Sequence, residues 1–229
     1  MSHEAIADMF DQWASSGRDS DMESGHGDVV SQVLKKLDFR PGEQILDLGC
    51  GNGWATRMMA KAAAGATAVG IDASPKMIAR ADELHSFTIR ARYEVGAFEA
   101  LDFPDGKFDR IFSMEALYYA VDLEQSLAEM LRVLKPGGAC DVVLDYYEEN
   151  TASKGWPEAT GLNLHSRSEA GWREAFEAVG FEHVRTERVI DSRGPGDPQA
   201  FECDECVPDY EAQRALHAAG SLWIHARKP

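Results

Sequence analysis

Asp47, Gly49, Gly51 and Gly53 fall within seven consecutive residues, and Asp72 follows the glycines by about 20 positions. The apolar run Ile45 to Leu48 leads straight into glycines at alternate positions, and a helix-like segment follows. A bend without side chains lets the backbone approach a ligand closely. A carboxylate closing the next apolar run, Ala66 to Asp72, has the spacing at which it reaches ribose hydroxyls in a βαβ unit. These residues therefore predict a nucleoside site. A dinucleotide site requires G-x-G-x-x-G so that the pyrophosphate rests on a helix N-terminus, but this turn reads Gly49-Cys50-Gly51-Asn52-Gly53 with Asp47 two residues before it. An acid at the strand tip repels a pyrophosphate and suits a ligand carrying ammonium and sulfonium groups. An NAD-dependent enzyme is accordingly disfavoured.

Further motifs follow in order: Val69-Gly70-Ile71-Asp72 with Ser74-Pro75-Lys76-Met77-Ile78 after it, Gly96 to Asp105, Phe108 to Ser113, and Leu131 to Gly138. With the glycine turn, they closely resemble the class I S-adenosylmethionine-dependent methyltransferases from about Phe39 to Tyr146. The resemblance implies S-adenosyl-L-methionine as methyl donor. Asp47 is expected to meet its ammonium group, Gly49, Gly51 and Gly53 to admit the nucleoside, and Asp72 beside Ala73 to hold the ribose. Ala97 and Phe98 belong to the adenine loop, and Ser113 is expected to offer a backbone carbonyl to the ammonium. Ala97 stands where the family often has Asp, which leaves Glu99 or a backbone carbonyl to take the adenine amino group while Phe98 packs on the ring.

Methyl transfer is an in-line displacement that needs alignment and exclusion of water, with a base only where the acceptor must lose a proton. The resemblance places Met114 to Tyr119 near the transferable methyl, so Glu115 is a candidate to take a proton or hold a cation, and Tyr118 a candidate wall. His26, flanked by Gly25 and Gly27, and His165 are candidate bases in segments expected to cover the pocket. Tyr146, Tyr147, Trp156 and Trp223 are candidates for an aromatic box. Cys203-Asp204-Glu205-Cys206 supplies half of a zinc site, but His217 and His225 are too far apart to complete it, and no metal is expected.

The elements that must position these groups are legible from periodicity. Ile6, Met9, Phe10 and Trp13 predict a short helix over 4–14; a polar stretch over 15–27 and a helix over 28–37 complete a helical lid over 1–38. Helices are expected at 55–64, 75–84, 123–134 and 168–179, with strands at 45–48, 66–72, 91–95, 110–113, 139–146, 181–191 and 220–228. Such alternation argues for an α/β, doubly wound sheet whose ligands lie outside the carboxyl ends of the strands, and the resemblance implies that the last two strands complete a seven-stranded mixed sheet. One domain over 1–229 is expected, with a donor-binding core at 39–146 and acceptor loops plus the strand pair at 147–229. Loops longer than about 15 residues are usually functional, and two are expected here, at 148–166 and 192–212.

Composition bounds the partners. The formal charge of -16, from 23 basic and 39 acidic side chains, opposes nucleic acid and anionic membrane surfaces. No apolar run is long enough to span a bilayer, the N-terminal residues do not read as a signal peptide, and four scattered cysteines do not form a disulfide framework. The expectation is a cytoplasmic monomer or homodimer that methylates a small-molecule acceptor at N, O or S. The competing expectation is a nucleoside-binding module without catalysis, or a supporting subunit.

Overall fold

The apolar runs and the segments between them assemble into one layered unit in a computed structural model that describes residues 2–229. The seven strands are β1 (Gln44–Leu48), β2 (Thr67–Asp72), β3 (Ala91–Val95), β4 (Phe108–Met114), β5 (Leu134–Leu144), β6 (Glu182–Val189) and β7 (Ser221–Arg227). They form a single sheet in the order β3-β2-β1-β4-β5-β7-β6. The first five are parallel, and β7 inserts antiparallel between β5 and β6. The fold is thus an α/β, doubly wound seven-stranded mixed sheet, as expected.

The parallel strands are covered on both faces, which is why they read as continuous apolar runs. Leu46, Leu48 and Ile111 join Trp172 and Phe176 on one face, whereas Ile45 and Phe112 join Val30, Val33 and Met59 on the other. The helices are α1 (His3–Ser16), α2 (Arg18–Lys36), α3 (Trp54–Met59), α4 (Pro75–Glu83), α5 (Leu123–Val133), α6 (Trp156–Thr160), α7 (Glu169–Ala178) and α8 (Tyr210–Ala219). Their starts are set locally: Ser74, Asp122, Ser168 and Asp209 each accept a backbone N–H of the first turn.

The largest difference from the sequence expectation is at the N-terminus. Residues 15–27 are not a polar connection but helix, broken only at Gly17, whose φ of 87° reverses the chain between α1 and α2. Asp19, Met22, His26, Val29, Val30 and Val33 recur at helical spacing, and four of these six are buried. That packing outweighs the cost of Gly25 and Gly27, about 1 kcal/mol each. Elsewhere α3 ends at Met59, earlier than expected, and β5 starts at Leu134, so that Lys135 to Gly138 form an irregularity in the strand rather than a turn before it. The aperiodic stretch 148–166 carries a 3-10 turn at Thr151–Ser153 and α6.

The junction between the parallel and antiparallel parts of the sheet is held by a buried acid. Asp141 on β5 is 0 % exposed and accepts from Arg110 Nη1 at 2.8 Å, Trp223 Nε1 at 3.0 Å and His225 Nδ1 at 2.7 Å. Arg110 also pairs with Glu43 at 3.3 Å. Removing one partner of such a network leaves a buried charge uncompensated. Asp141→Ala is expected to lower unfolding free energy by about 3–5 kcal/mol, read as a shift of the urea midpoint; an unchanged midpoint would show that the network is not structural.

Candidate functional site

The turn after β1 and the end of β2 form a single clasp. Asp72 Oδ2 accepts the Gly51 N–H at 2.9 Å and Oδ1 accepts the Ser74 N–H at 2.9 Å, so one carboxylate ties the glycine turn to the start of α4. Gly49 has φ of 73°, and a Cβ there would lie 2.1 Å from that of Ala116; Gly51 has φ of 53° and open space where its Cβ would be. The turn therefore leaves room beside Gly51 and closes it off at Gly49. Asp72, Ala73, Ala97 and Phe98 line that room together with Gly49 and Gly51, in a cavity roofed by Ile6 and Phe10 of α1. The residues fit an adenosyl group: an open glycine, an apolar wall with Phe98, and a carboxylate with remaining lone pairs.

Gly53 and Ser113 have other surroundings. A Cβ at Gly53 would lie 2.4 Å from the Tyr93 ring, so this glycine serves the packing of α3 against β3. Ser113 is buried and donates its hydroxyl to the Leu48 carbonyl at 2.8 Å, joining β4 to β1. Glu99 is committed as well: Oε1 accepts the N–H groups of Val121 and Asp122, and Oε2 lies 2.7 Å from His3 Nε2. That use draws α1 onto the loop after β3.

Asp47 is 1 % exposed and accepts from Thr56 Oγ1 at 2.5 Å. It lines a smaller recess next to the main cavity with Asn52, Trp54 and His26. Burial pushes its pKa up to about 7, with Thr56 opposing the shift and the charge of Asp72 adding to it. Burial likewise raises Asp72 to about 6 against the Ser74 and Gly51 N–H groups. Both acids thus sit where a cationic ligand favours ionisation.

Glu115 follows β4 with φ of 51°, a left-handed conformation uncommon for a side-chain-bearing residue. Its Oε2 accepts from Tyr118 Oη at 2.7 Å and its Oε1 accepts the Asp145 N–H, so the carboxylate is held by the ends of β4 and β5. His26 comes from α2, where its Nδ1 lies 3.0 Å from the Met22 carbonyl and its Nε2 3.6 Å from Asp145 Oδ2. Burial and the charge of Asp145 push Glu115 up to about 8, with His26 and Tyr118 opposing. At His26 burial acts downward, but Asp145, Glu115 and the Met22 carbonyl lift it to about 9.

A second cavity adjoins the first, and Glu115, Tyr119, Phe10 and Met22 line both. Trp13, His26, Asp145 and Trp156 form much of its wall. Both long loops reach it: Trp156 Nε1 donates to the Cys206 carbonyl at 3.1 Å, and Arg18 of α2 pairs with Asp204 at 2.9 Å and Glu205 at 2.6 Å. Tyr118, Tyr146 and Trp156 pack together, Tyr146 and Trp156 stacked at 6.1 Å. The expected aromatic box is not formed as a unit, because Tyr147 lies under Arg188 at 4.0 Å and Trp223 binds Asp141. Nor does His165 face a cavity; its Nε2 meets the Ala120 carbonyl at 2.9 Å and pins the loop. Periodicity missed Asp145, although its place at the carboxyl end of β5 was a usable signal. Thr56, which bonds Asp47, had none.

A family description, "Methyltransferase domain", matches residues 45–138. The 2-methyl-6-phytyl-1,4-hydroquinone methyltransferase of Synechocystis is 34% identical over 171 residues, covering 65% of this chain and 53% of that protein. The sterol 24-C-methyltransferase of Yarrowia lipolytica is 33% identical, covering 64% of this chain and 41% of that one. The chain thus spans about half the length of these curated relatives. A chain described as a methyltransferase, solved in complex with the Haloferax volcanii Trm112 methyltransferase activator, is 33% identical with a TM-score of 0.86, over 96% of this chain and 97% of its own. A glycine turn clasped by an acid on the next strand, beside a cavity fit for an adenosyl group, agrees with these relatives: the chain belongs to the class I S-adenosylmethionine-dependent methyltransferases.

Proposed function

We propose that this methyltransferase acts on a small-molecule acceptor held in the second cavity. The observation that carries the reading is the shared wall: Glu115 and Tyr119 face both the donor cavity and its neighbour. S-adenosylmethionine supplies an electrophilic methyl group. In this reading Gly49, Gly51, Asp72, Ala73, Ala97 and Phe98 hold its adenosine, Asp47 attracts its ammonium charge, and Ser113 and Gly53 maintain the strand end and turn around it. Residues 39–146 form the donor-binding core. Residues 1–38 are the lid, and the loops within 147–229 complete the acceptor wall.

Glu115 and His26 are among the polar groups presented to the acceptor, with Asp145 beside them, and Tyr118 positions Glu115 through its hydroxyl. Acceptor size and polarity follow from aromatic side chains on one side and acids on the other: a largely apolar, planar molecule with one ionisable N–H, O–H or S–H. No helix among the described residues is long and apolar enough to cross a membrane, and the charge of -16 disfavours a nucleic-acid acceptor.

A second reading concerns a partner, favoured by the relative solved with Trm112. The outer strand β3 is flanked by Leu84, Phe87 and Val95, which are 40%, 102% and 55% exposed. An unpaired strand edge with apolar neighbours suits a partner that adds its own strand. We place an activator of the Trm112 type there.

Each reading has a direct test. Incubating the protein with donor and metabolite fractions is expected to yield S-adenosylhomocysteine above the fraction-free control, and Glu115→Gln is expected to lower kcat by about 10²–10⁴-fold with donor affinity unchanged. Donor binding without product in any fraction would support the non-catalytic module instead. The raised acid pKa values also give a pH dependence. For the empty protein, pKa values above those of the unfolded chain mean that stability falls as pH rises from about 4 through 7. Donor binding reverses this cost, so donor Kd is expected to fall about tenfold between pH 5.5 and 7.5. Asp47→Asn should flatten most of that change in calorimetric titration, and an unaltered profile would remove Asp47 from the donor site. Co-expression with a Trm112 homologue is expected to give a complex that Phe87→Asp and Val95→Asp disrupt; retention of the complex in both variants would exclude the β3 edge.

A further inference from the structure

We propose that His26, Glu115 and Asp145 form a site for one divalent transition-metal ion at the wall between the donor and acceptor cavities. The three residues come from α2, the turn after β4 and the end of β5, so only the assembled fold brings them together. Each offers a ligand atom, and these atoms lie within 4.8 Å of one another.

The imidazole is oriented as in metal sites. Its Nδ1 faces the Met22 carbonyl at 3.0 Å and donates to it, so the proton that an ion displaces from the ring is the one on Nε2. Nε2 lies 3.6 Å from Asp145 Oδ2, close to the roughly 3.4 Å that separates two tetrahedral ligands at about 2.1 Å from a common ion. Asp145 Oδ1 is buried and, among the described residues, has no hydrogen-bond partner. An acceptor atom buried in that state is costly unless something else occupies its lone pairs. Glu115 is held in place by Tyr118 and the Asp145 N–H, yet each of its oxygens keeps a lone pair.

Charge and ligand type narrow the ion. Two carboxylates and a neutral imidazole balance a 2+ charge, and the absence of thiolate among the three favours Mn²⁺, Fe²⁺, Co²⁺ or Zn²⁺ over soft ions, while the imidazole disfavours Ca²⁺ and Mg²⁺. Three protein ligands leave positions open toward the second cavity. The role of the ion rests on the acceptor pocket proposed above. An acceptor hydroxyl bound there releases its proton to solvent, and its oxygen lone pair forms the bond to the methyl carbon as the methyl–sulfur pair leaves with sulfur.

The site itself is tested without acceptor or turnover. The whole protein is titrated with Mn²⁺ alone, and free ion is followed by electron paramagnetic resonance, with Zn²⁺ added as competitor. One bound Mn²⁺ per chain is expected, displaced by Zn²⁺ and weakened by at least about 100-fold in His26→Gln and in Asp145→Asn, beyond what loss of a group that merely orients a ligand costs. The double change Cys203→Ser and Cys206→Ser should leave binding intact. Donor binding by each variant reports its folding, and His26→Gln, on a partly exposed helix, serves if Asp145→Asn does not fold. Failure to bind Mn²⁺, or binding that both variants leave unchanged, overturns the ion site while leaving the methyltransferase reading in place.

Discussion

One carboxylate organises the donor end of this molecule. Asp72 accepts the backbone N–H groups of Gly51 and Ser74, and so holds the turn after β1 against the first residues of α4 before any ligand arrives. Without that clasp the glycine turn has positive φ at three positions and little to restrain it. With it, the open face of Gly51 and the wall carrying Ala73 form one fixed surface. The same interaction explains why a buried acid is retained in an apolar cavity: two N–H groups offset part of its desolvation.

The acidic groups continue outward from this point. Asp11 of α1 accepts from the Ser74 hydroxyl and from the Lys76 N–H at 3.1 Å, so the helix that roofs the cavity is fastened to the element that Asp72 anchors. Asp19 of α2 accepts from Asn52 Nδ2 at 3.1 Å, fastening the second roof helix to the glycine turn itself. On the far side, Asp28 accepts the Ser192 N–H at 2.7 Å, while Arg193 donates to the Ser24 and Gly25 carbonyls. Roof, turn and the loop after β6 are therefore linked by polar contacts, many of them exposed. Such contacts are individually weak and allow local opening more readily than the apolar layers do, as a roof over two cavities must if ligands are to enter.

The cluster at the shared wall has a different character. Glu115, Asp145 and His26 approach each other because β4 and β5 are adjacent parallel strands that end at the same level, and α2 crosses above them. The pKa shifts of Glu115 and His26 follow from that convergence: burial and the charge of Asp145 raise the Glu115 carboxyl, and at His26 burial acts downward but is outweighed by Asp145 and Glu115. This is also the point where the two cavities meet.

The sequence by itself determined what depends on neighbours along the chain. The glycine spacing, the acid about 20 residues later, the helix caps and the strand alternation are local, and the completion of a seven-stranded mixed sheet by the last two strands followed from resemblance to a known family. Tertiary structure alone decided what depends on packing between distant segments. Gly25 and Gly27 read as loop, yet lie in α2 because Met22, Val29 and Val33 find an apolar partner surface. His165 read as a candidate base but meets the Ala120 carbonyl, and Asp145 read as a strand end but closes the cluster with Glu115 and His26. Periodicity records which face of an element is apolar. It carries no information on which polar groups from separate elements end within a few ångströms of one another, since that distance is set by how the layers stack.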